Sequence, residues 1–155
     1  KGKTAPAIPK AVKSFLSDTS SFSPEWSGSI LRMLPESVRG AYPLLREHLR
    51  ILSAGICIGE VKGKDFIPAE ELALSTALRP DAFPVADLDW DDAIRYLKKE
   101  ALLLPAGTEK GYVLVRHKKF PLGFAKHLGN RANNLYPQEW RIRTGYVPEQ
   151  VKTFE

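Results

Sequence analysis

Cysteine occurs once in these 155 residues, methionine once and histidine three times. A single thiol excludes an internal disulfide, and together with three scattered histidines it excludes a Cys/His zinc site. No apolar run approaches the roughly 20 residues that a membrane-crossing helix needs, and no segment has the pattern of a secretory leader. No membrane partner is therefore expected. Internal repeats and low-complexity stretches are absent as well. Such sparing use of cysteine suits a reducing compartment, and a cytoplasmic location is expected. The chain begins at Lys1 and Met33 is its sole methionine, so a piece of a longer protein is expected.

What is present is enough for a real core. The sequence is 43% hydrophobic and 26% charged, which fits one globular domain or two small ones and not a disordered chain. Its formal charge of +5 is unevenly placed. Residues 110–155 hold nine Lys/Arg against three Glu, a net of +6, leaving 14 basic and 15 acidic groups in the first 109. Basic character confined to the last third favours a polyanionic partner.

Residues 1–24 mix Lys, Ser, Thr and Pro and read as a linker or the tail of a preceding domain. Within them only Val12, Phe15 and Leu16 suit a short helical turn. Residues 25–80 read as a small α/β unit. A strand is expected over 26–34, then helix over 36–50 that Pro43 kinks or splits, with Val38, Tyr42, Leu45 and Leu49 at helical spacing. The apolar stretch within 50–61, centred on Ile56, Cys57 and Ile58, suits a buried strand. A turn at Lys62-Gly63-Lys64-Asp65 leads to a short strand at Phe66-Ile67. Pro68 then opens a helix expected to reach Ala77.

Residues 81–148 contain the clearest helix. Asp89 caps it, and Trp90, Ala93, Ile94, Leu97 and Ala101 form an apolar stripe. Asp91 and Asp92 at its start and Lys98 and Lys99 at its end complement the helix dipole. Strands are expected over 111–116 and from 121 to 126, joined by a tight turn at Lys118-Lys119. A loop rich in Gly and Asn (129–137) leads to a last strand over 140–143, and 149–155 read as a tail. Strand alternation there would send Trp140 and Ile142 inward and Arg141 and Arg143 outward. The fold class expected is α+β, the second unit being built on a partly closed sheet with one main helix.

Few residues suggest chemistry. Gly59 to Asp65 has a phosphate-loop look, yet Ile58 and Asp65 stand where that motif needs Gly and Ser or Thr, so nucleotide binding is rejected. Cys57 lies in an apolar run and reads as core. His48, His117 and His127 share no spacing that makes a triad or a metal site, and Asp87, Asp89, Asp91 and Asp92 are explained by helix capping. Lys126, Arg131, Arg141, Arg143 and the Lys118-Lys119 turn fall within one supersecondary unit and as a group suit phosphate contacts. Lys62 and Lys64 are either ordinary turn lysines or further backbone contacts. Asn133 and Asn134 read as turn formers first and base-edge contacts second. Tyr136 either stacks on a base or packs inside.

Gly123-Phe124-Ala125-Lys126 and the run from Leu128-Gly129-Asn130-Arg131-Ala132-Asn133-Asn134 through Leu135-Tyr136-Pro137-Gln138-Glu139-Trp140-Arg141-Ile142-Arg143 closely resemble the end of bacterial ribosomal-RNA cytosine-C5 methyltransferases of the small-subunit methyltransferase F type. Gly59 to Pro68 and Glu71-Leu72-Ala73-Leu74-Ser75 resemble the segment before it. The likeness covers about residues 26–146. It implies a linking domain followed by a PUA-like, partly closed barrel that binds RNA, as a C-terminal extension that carries no catalytic residue and no cofactor of its own. The family's S-adenosylmethionine-binding domain and its Pro-Cys and Thr-Cys cysteines are not matched here. Expected partners are small-subunit ribosomal RNA and the N-terminal methyltransferase domain of the same protein, with the chain monomeric. The alternative expectation is an intramolecular brace that positions the catalytic domain.

Overall fold

The computed structural model describes residues 9–145. The first sheet is an antiparallel meander, in order β1 (Phe22–Ser27), β2 (Ile30–Pro35), β3 (Ile56–Lys62) and β4 (Asp65–Pro68). The strand expected over 26–34 is thus a hairpin, because Gly28 at φ 61° reverses the chain in the middle of it. Between β2 and β3 run α2 (Glu36–Arg39) and α3 (Tyr42–His48). They are the two short helices anticipated from Pro43, which occupies the first turn of α3, where its missing N–H is harmless. The helix after Pro68 is a single turn, α4 (Glu70–Ala73), and does not reach Ala77.

The second sheet has the order β5 (Val85–Asp87), β6 (Gly111–His117), β7 (Phe120–His127) and β8 (Ala132–Asn134). β5 pairs parallel to β6 and the other pairs are antiparallel. The longest described helix, α5 (Trp90–Leu97), starts at Asp89, whose side chain accepts from the Asp92 N–H at 2.9 Å. The class is mixed α+β. Neither sheet closes into a barrel among the described residues: β5 and β8 are the edges of an open sheet and do not pair with each other.

One apolar cluster joins the two sheets. Leu31, Met33 and Ile58 of the first sheet pack with Leu72 and Ala73 of α4 and with Leu114 and Phe124 of the second. A row of phenylalanine rings crosses the junction, with centroids 6.1 Å apart for Phe66–Phe15, 4.6 Å for Phe15–Phe83 and 4.7 Å for Phe83–Phe124. α1 (Lys10–Lys13) delivers Val12 to this cluster, and Leu16 follows. Part of the segment read as a linker is therefore core. On the other face of the second sheet, Val115, Ala125 and Ala132 meet Ala93 and Tyr96 of α5. The stripe proposed for this helix omitted Tyr96, the side chain it buries completely.

The largest local revision falls at 130–143. The segment expected to be a loop contains β8, and the expected strand is a 3-10 turn (Gln138–Trp140) followed by irregular chain. The free edge of β7 is taken by 132–134, and 140–143 pairs with no strand among the described residues. Pro137, at φ −58°, then sets up the Trp140 N–H to Pro137 carbonyl bond of the turn. Trp140 is consequently 49% exposed and not inward, and Leu97 receives the Ile142 N–H at 2.9 Å. The expected tail at 149–155 lies outside the described residues.

Candidate nucleic-acid interface

The second sheet positions most of the residues singled out above. Lys126, one residue from the end of β7, places Nζ 2.5 Å from Asp65 Oδ2 and 3.4 Å from the Tyr112 hydroxyl. Its ammonium also sits 4.9 Å from the centre of the Tyr112 ring. Tyr112 in turn donates to Asp65 Oδ2 at 2.9 Å. The Lys126 bond, and then that of Tyr112, hold the Asp65 carboxyl below its ordinary range, and Asp65 raises Lys126. Both partners are more than a third exposed, so solvent screens the pair. Its effect is on geometry, since it ties the β3–β4 turn of the first sheet to the second.

Around this tie lie several cations whose side chains make no ion pair or hydrogen bond to any described residue. Lys62 and Lys64 flank Gly63, at φ 64°, in the β3–β4 turn, and Lys62 is the register partner of Asp65. Arg131 is exposed just ahead of β8, where the Leu128 N–H closes a turn onto its carbonyl at 2.8 Å. Asn133 is exposed and is the register partner of Lys126. Lys110 was not foreseen. It precedes β6, and its stem covers Gly129 so closely that a Cβ there would stand 2.7 Å from its Cε.

The remaining cations are elsewhere, so one face does not gather the whole set. Lys118 and Lys119 form the β6–β7 turn, both at positive φ (46° and 71°). They are about 20 Å from Lys126 along the hairpin, at roughly 3.3 Å per residue. Arg141 and Arg143 border a shallow depression with Lys98 and Glu100 beyond the end of α5. The physical reason is topological: a hairpin separates its two ends, and the 3-10 turn sends 141–143 back across α5.

Asn134 and Tyr136 are engaged inside the molecule. Asn134 Nδ2 donates to the Tyr96 carbonyl at 2.9 Å and the Glu100 carbonyl at 3.1 Å, while its Oδ1 accepts the Tyr136 N–H at 2.9 Å. The end of α5 is thereby stapled to the end of β8. Lys99, in the left-handed region at φ 61°, adds its ammonium to the Asn134 carbonyl at 3.3 Å and to the Tyr136 carbonyl. The Tyr136 ring is partly buried and packs edge-on against Tyr96 at 5.4 Å and Trp140 at 6.5 Å. Replacing Asn134 with Ala should lower stability by about 2–3 kcal/mol, because three backbone groups lose partners. A urea midpoint equal to that of the unmodified chain would show the staple to be dispensable.

The thiol does not fit transfer chemistry. Cys57 is partly buried, burial raises its pKa, and its N–H donates to Glu71 Oε2 at 2.8 Å, where the β2–β3 register shifts. A nucleophile or a cysteine poised for methyl transfer needs the opposite, a stabilised thiolate. Among the described residues no group of three or more His, Cys, Asp or Glu is arranged to hold a metal ion, and no helix is long and apolar enough to cross a membrane.

Residues 83–142 match the family described as the methyltransferase RsmF PUA domain. The "Ribosomal RNA small subunit methyltransferase F" of Shewanella baltica (strain OS195) is 32% identical over 110 residues, which is 68% of this chain and 22% of that protein. The chain therefore spans about a fifth of the length of this relative. The matched interval takes in β5, α5 and β6 to β8, the whole of the second sheet and its helix. By that correspondence, residues 83–142 of this chain are similar to the RsmF methyltransferase PUA domain.

Proposed function

We propose that the chain is the RNA-binding C-terminal module of an rRNA cytosine-C5 methyltransferase, docking the longer enzyme on small-subunit ribosomal RNA and performing no chemistry itself. The observation that carries this reading is the PUA-domain match over residues 83–142. Residues 25–80 would serve as the linking domain and 81–148 as the PUA domain, in a monomer working in the cytoplasm. S-adenosylmethionine and the reacting cysteines would belong to the rest of the protein. Lys62, Lys64, Lys118, Lys119, Arg131, Arg141 and Arg143 are the exposed cations available to phosphates, with Asn133 beside them. A phosphate contact adds about 0.7–0.9 to the slope of log affinity against log salt. Titrating a structured small-subunit rRNA fragment at several salt concentrations should give salt-dependent binding, with Arg131→Ala lowering the slope by about one. Binding that is absent, or indifferent to salt, would remove the assignment.

A second reading rests on a different surface. Leu44, Leu49 and Leu52, on α3 and the segment after it, are 60%, 60% and 85% exposed, an unusual density of uncovered leucine. That favours a brace which holds the methyltransferase domain of the longer protein. Co-purification with that domain in the absence of RNA, lost on Leu49→Ser and Leu52→Ser, would support it.

A further inference from the structure

We infer that phosphate recognition is shared between the two sheets: the Lys62–Lys64 turn of the first and Lys110 and Arg131 of the second form one clamp on an RNA backbone, set in register by Asp65, Lys126 and Tyr112. The inference rests on the RNA-module reading above and adds where on the molecule the backbone is held and which residue is not a contact.

The β3–β4 turn is a two-residue reversal, and isolated hairpins are marginal in water. Its described polar side-chain tie to the second sheet is Asp65, which takes both the Lys126 ammonium and the Tyr112 hydroxyl on one oxygen. That tie brings Lys62, the register partner of Asp65, and Lys64, its chain neighbour, to the end of the sheet where β7 finishes and β8 begins. Lys110 stands two residues before Tyr112, and Arg131 two residues before Asn133, the register partner of Lys126. His127 Nδ1 donates to the Glu109 carbonyl at 3.1 Å, fixing the chain next to Lys110.

Four exposed cations from three chain segments thus surround one ion-paired lysine. Of the acids near the same end, Asp65 is occupied and Glu60 accepts from Ser29 Oγ at 2.9 Å; Glu109 is exposed. Lys126 differs from its neighbours because its charge is matched by Asp65 and its ammonium is placed over a ring. To touch a phosphate it would have to break the tie, so Lys126 is a positioning residue. The cations occupy the exposed β3–β4 reversal and the chain just ahead of β6 and β8, which suits a phosphodiester backbone better than a base pocket.

The test exploits a sign. Asp65→Ala removes a negative charge from a surface said to bind a polyanion. Charge alone predicts tighter binding, as for the control Glu109→Gln. If Asp65 holds the turn in place, Asp65→Ala should instead weaken binding of a fluorescent small-subunit rRNA hairpin about tenfold. Lys62→Ala with Lys64→Ala should lower the salt slope by about 1.5, two contacts' worth, and should lower it no further once Asp65 is Ala. These two exposed lysines can be replaced without risk to the core, so they test the clamp even if Asp65→Ala does not fold. An unchanged slope in the lysine pair, or binding as tight or tighter in a folded Asp65→Ala, overturns the clamp while the RNA-module reading stands. Absence of salt-dependent binding by the unmodified chain overturns both.

Discussion

Stability should fall as the pH rises from about 5 to about 8, and Glu70→Gln should abolish most of that fall. Glu70, in α4, is 8% exposed, and its Oε1 has no hydrogen-bond partner. Burial lifts its carboxyl to about 8, against opposing effects of the Phe124 N–H, Lys99 and the Tyr96 hydroxyl. A pKa raised on folding means that the native state binds the proton more tightly than the unfolded chain. The stabilisation is therefore complete below the unfolded value near 4.5 and is lost as the pH climbs through 8. A shift of that size corresponds to about 4–5 kcal/mol at the upper limit. The depressed carboxyls of Asp65 and Asp87 act oppositely, losing stability as the pH falls below their unfolded range. Greatest stability is thus expected on the acid side of neutrality. Urea titrations between pH 5 and 9 decide the matter. Parallel profiles for Glu70→Gln and the unmodified chain would show that the carboxyl is not the titrating group.

Replacing Gly123 with Ala should cost about 3–5 kcal/mol. Gly123 stands in β7 at φ 150°, a region that L side chains rarely adopt. It follows the irregularity at which the β6–β7 register shifts between Val115 and Arg116. A Cβ built there collides with the Glu70 carboxylate and with the Tyr96 hydroxyl. Backbone strain and overpacking each contribute about 1–3 kcal/mol. The glycine therefore makes room for a buried polar group where α4, α5 and the second sheet converge. There Tyr96 donates to the Phe124 carbonyl at 3.0 Å. Glu70→Ala would vacate that room, so the steric part of the penalty should shrink in the double variant while the strain persists. A midpoint within about 0.5 kcal/mol of the unmodified chain for Gly123→Ala would contradict the geometry.

Features encoded within a few adjacent residues were legible in the sequence. The Asp89 cap, the split of 36–50 at Pro43, the Lys118–Lys119 reversal and the α+β class needed only local turn chemistry and apolar periodicity. The family likeness rested on a contiguous run as well. What escaped depends on partners distant along the chain. Alternation at Trp140, Arg141, Ile142 and Arg143 describes a strand well, but the turn after Pro137 carries this segment to the end of α5, where the Ile142 N–H meets the Leu97 carbonyl. Tyr96 could not be told from the rest of its helix until Phe124 and Glu70 came against it. Lys126 looked like its exposed neighbours, because Asp65 lies 61 positions away in the chain. Local order follows from which conformations each residue favours. Which polar groups are spent on one another, and which stay open to a ligand, is settled only when the two sheets close on a common core.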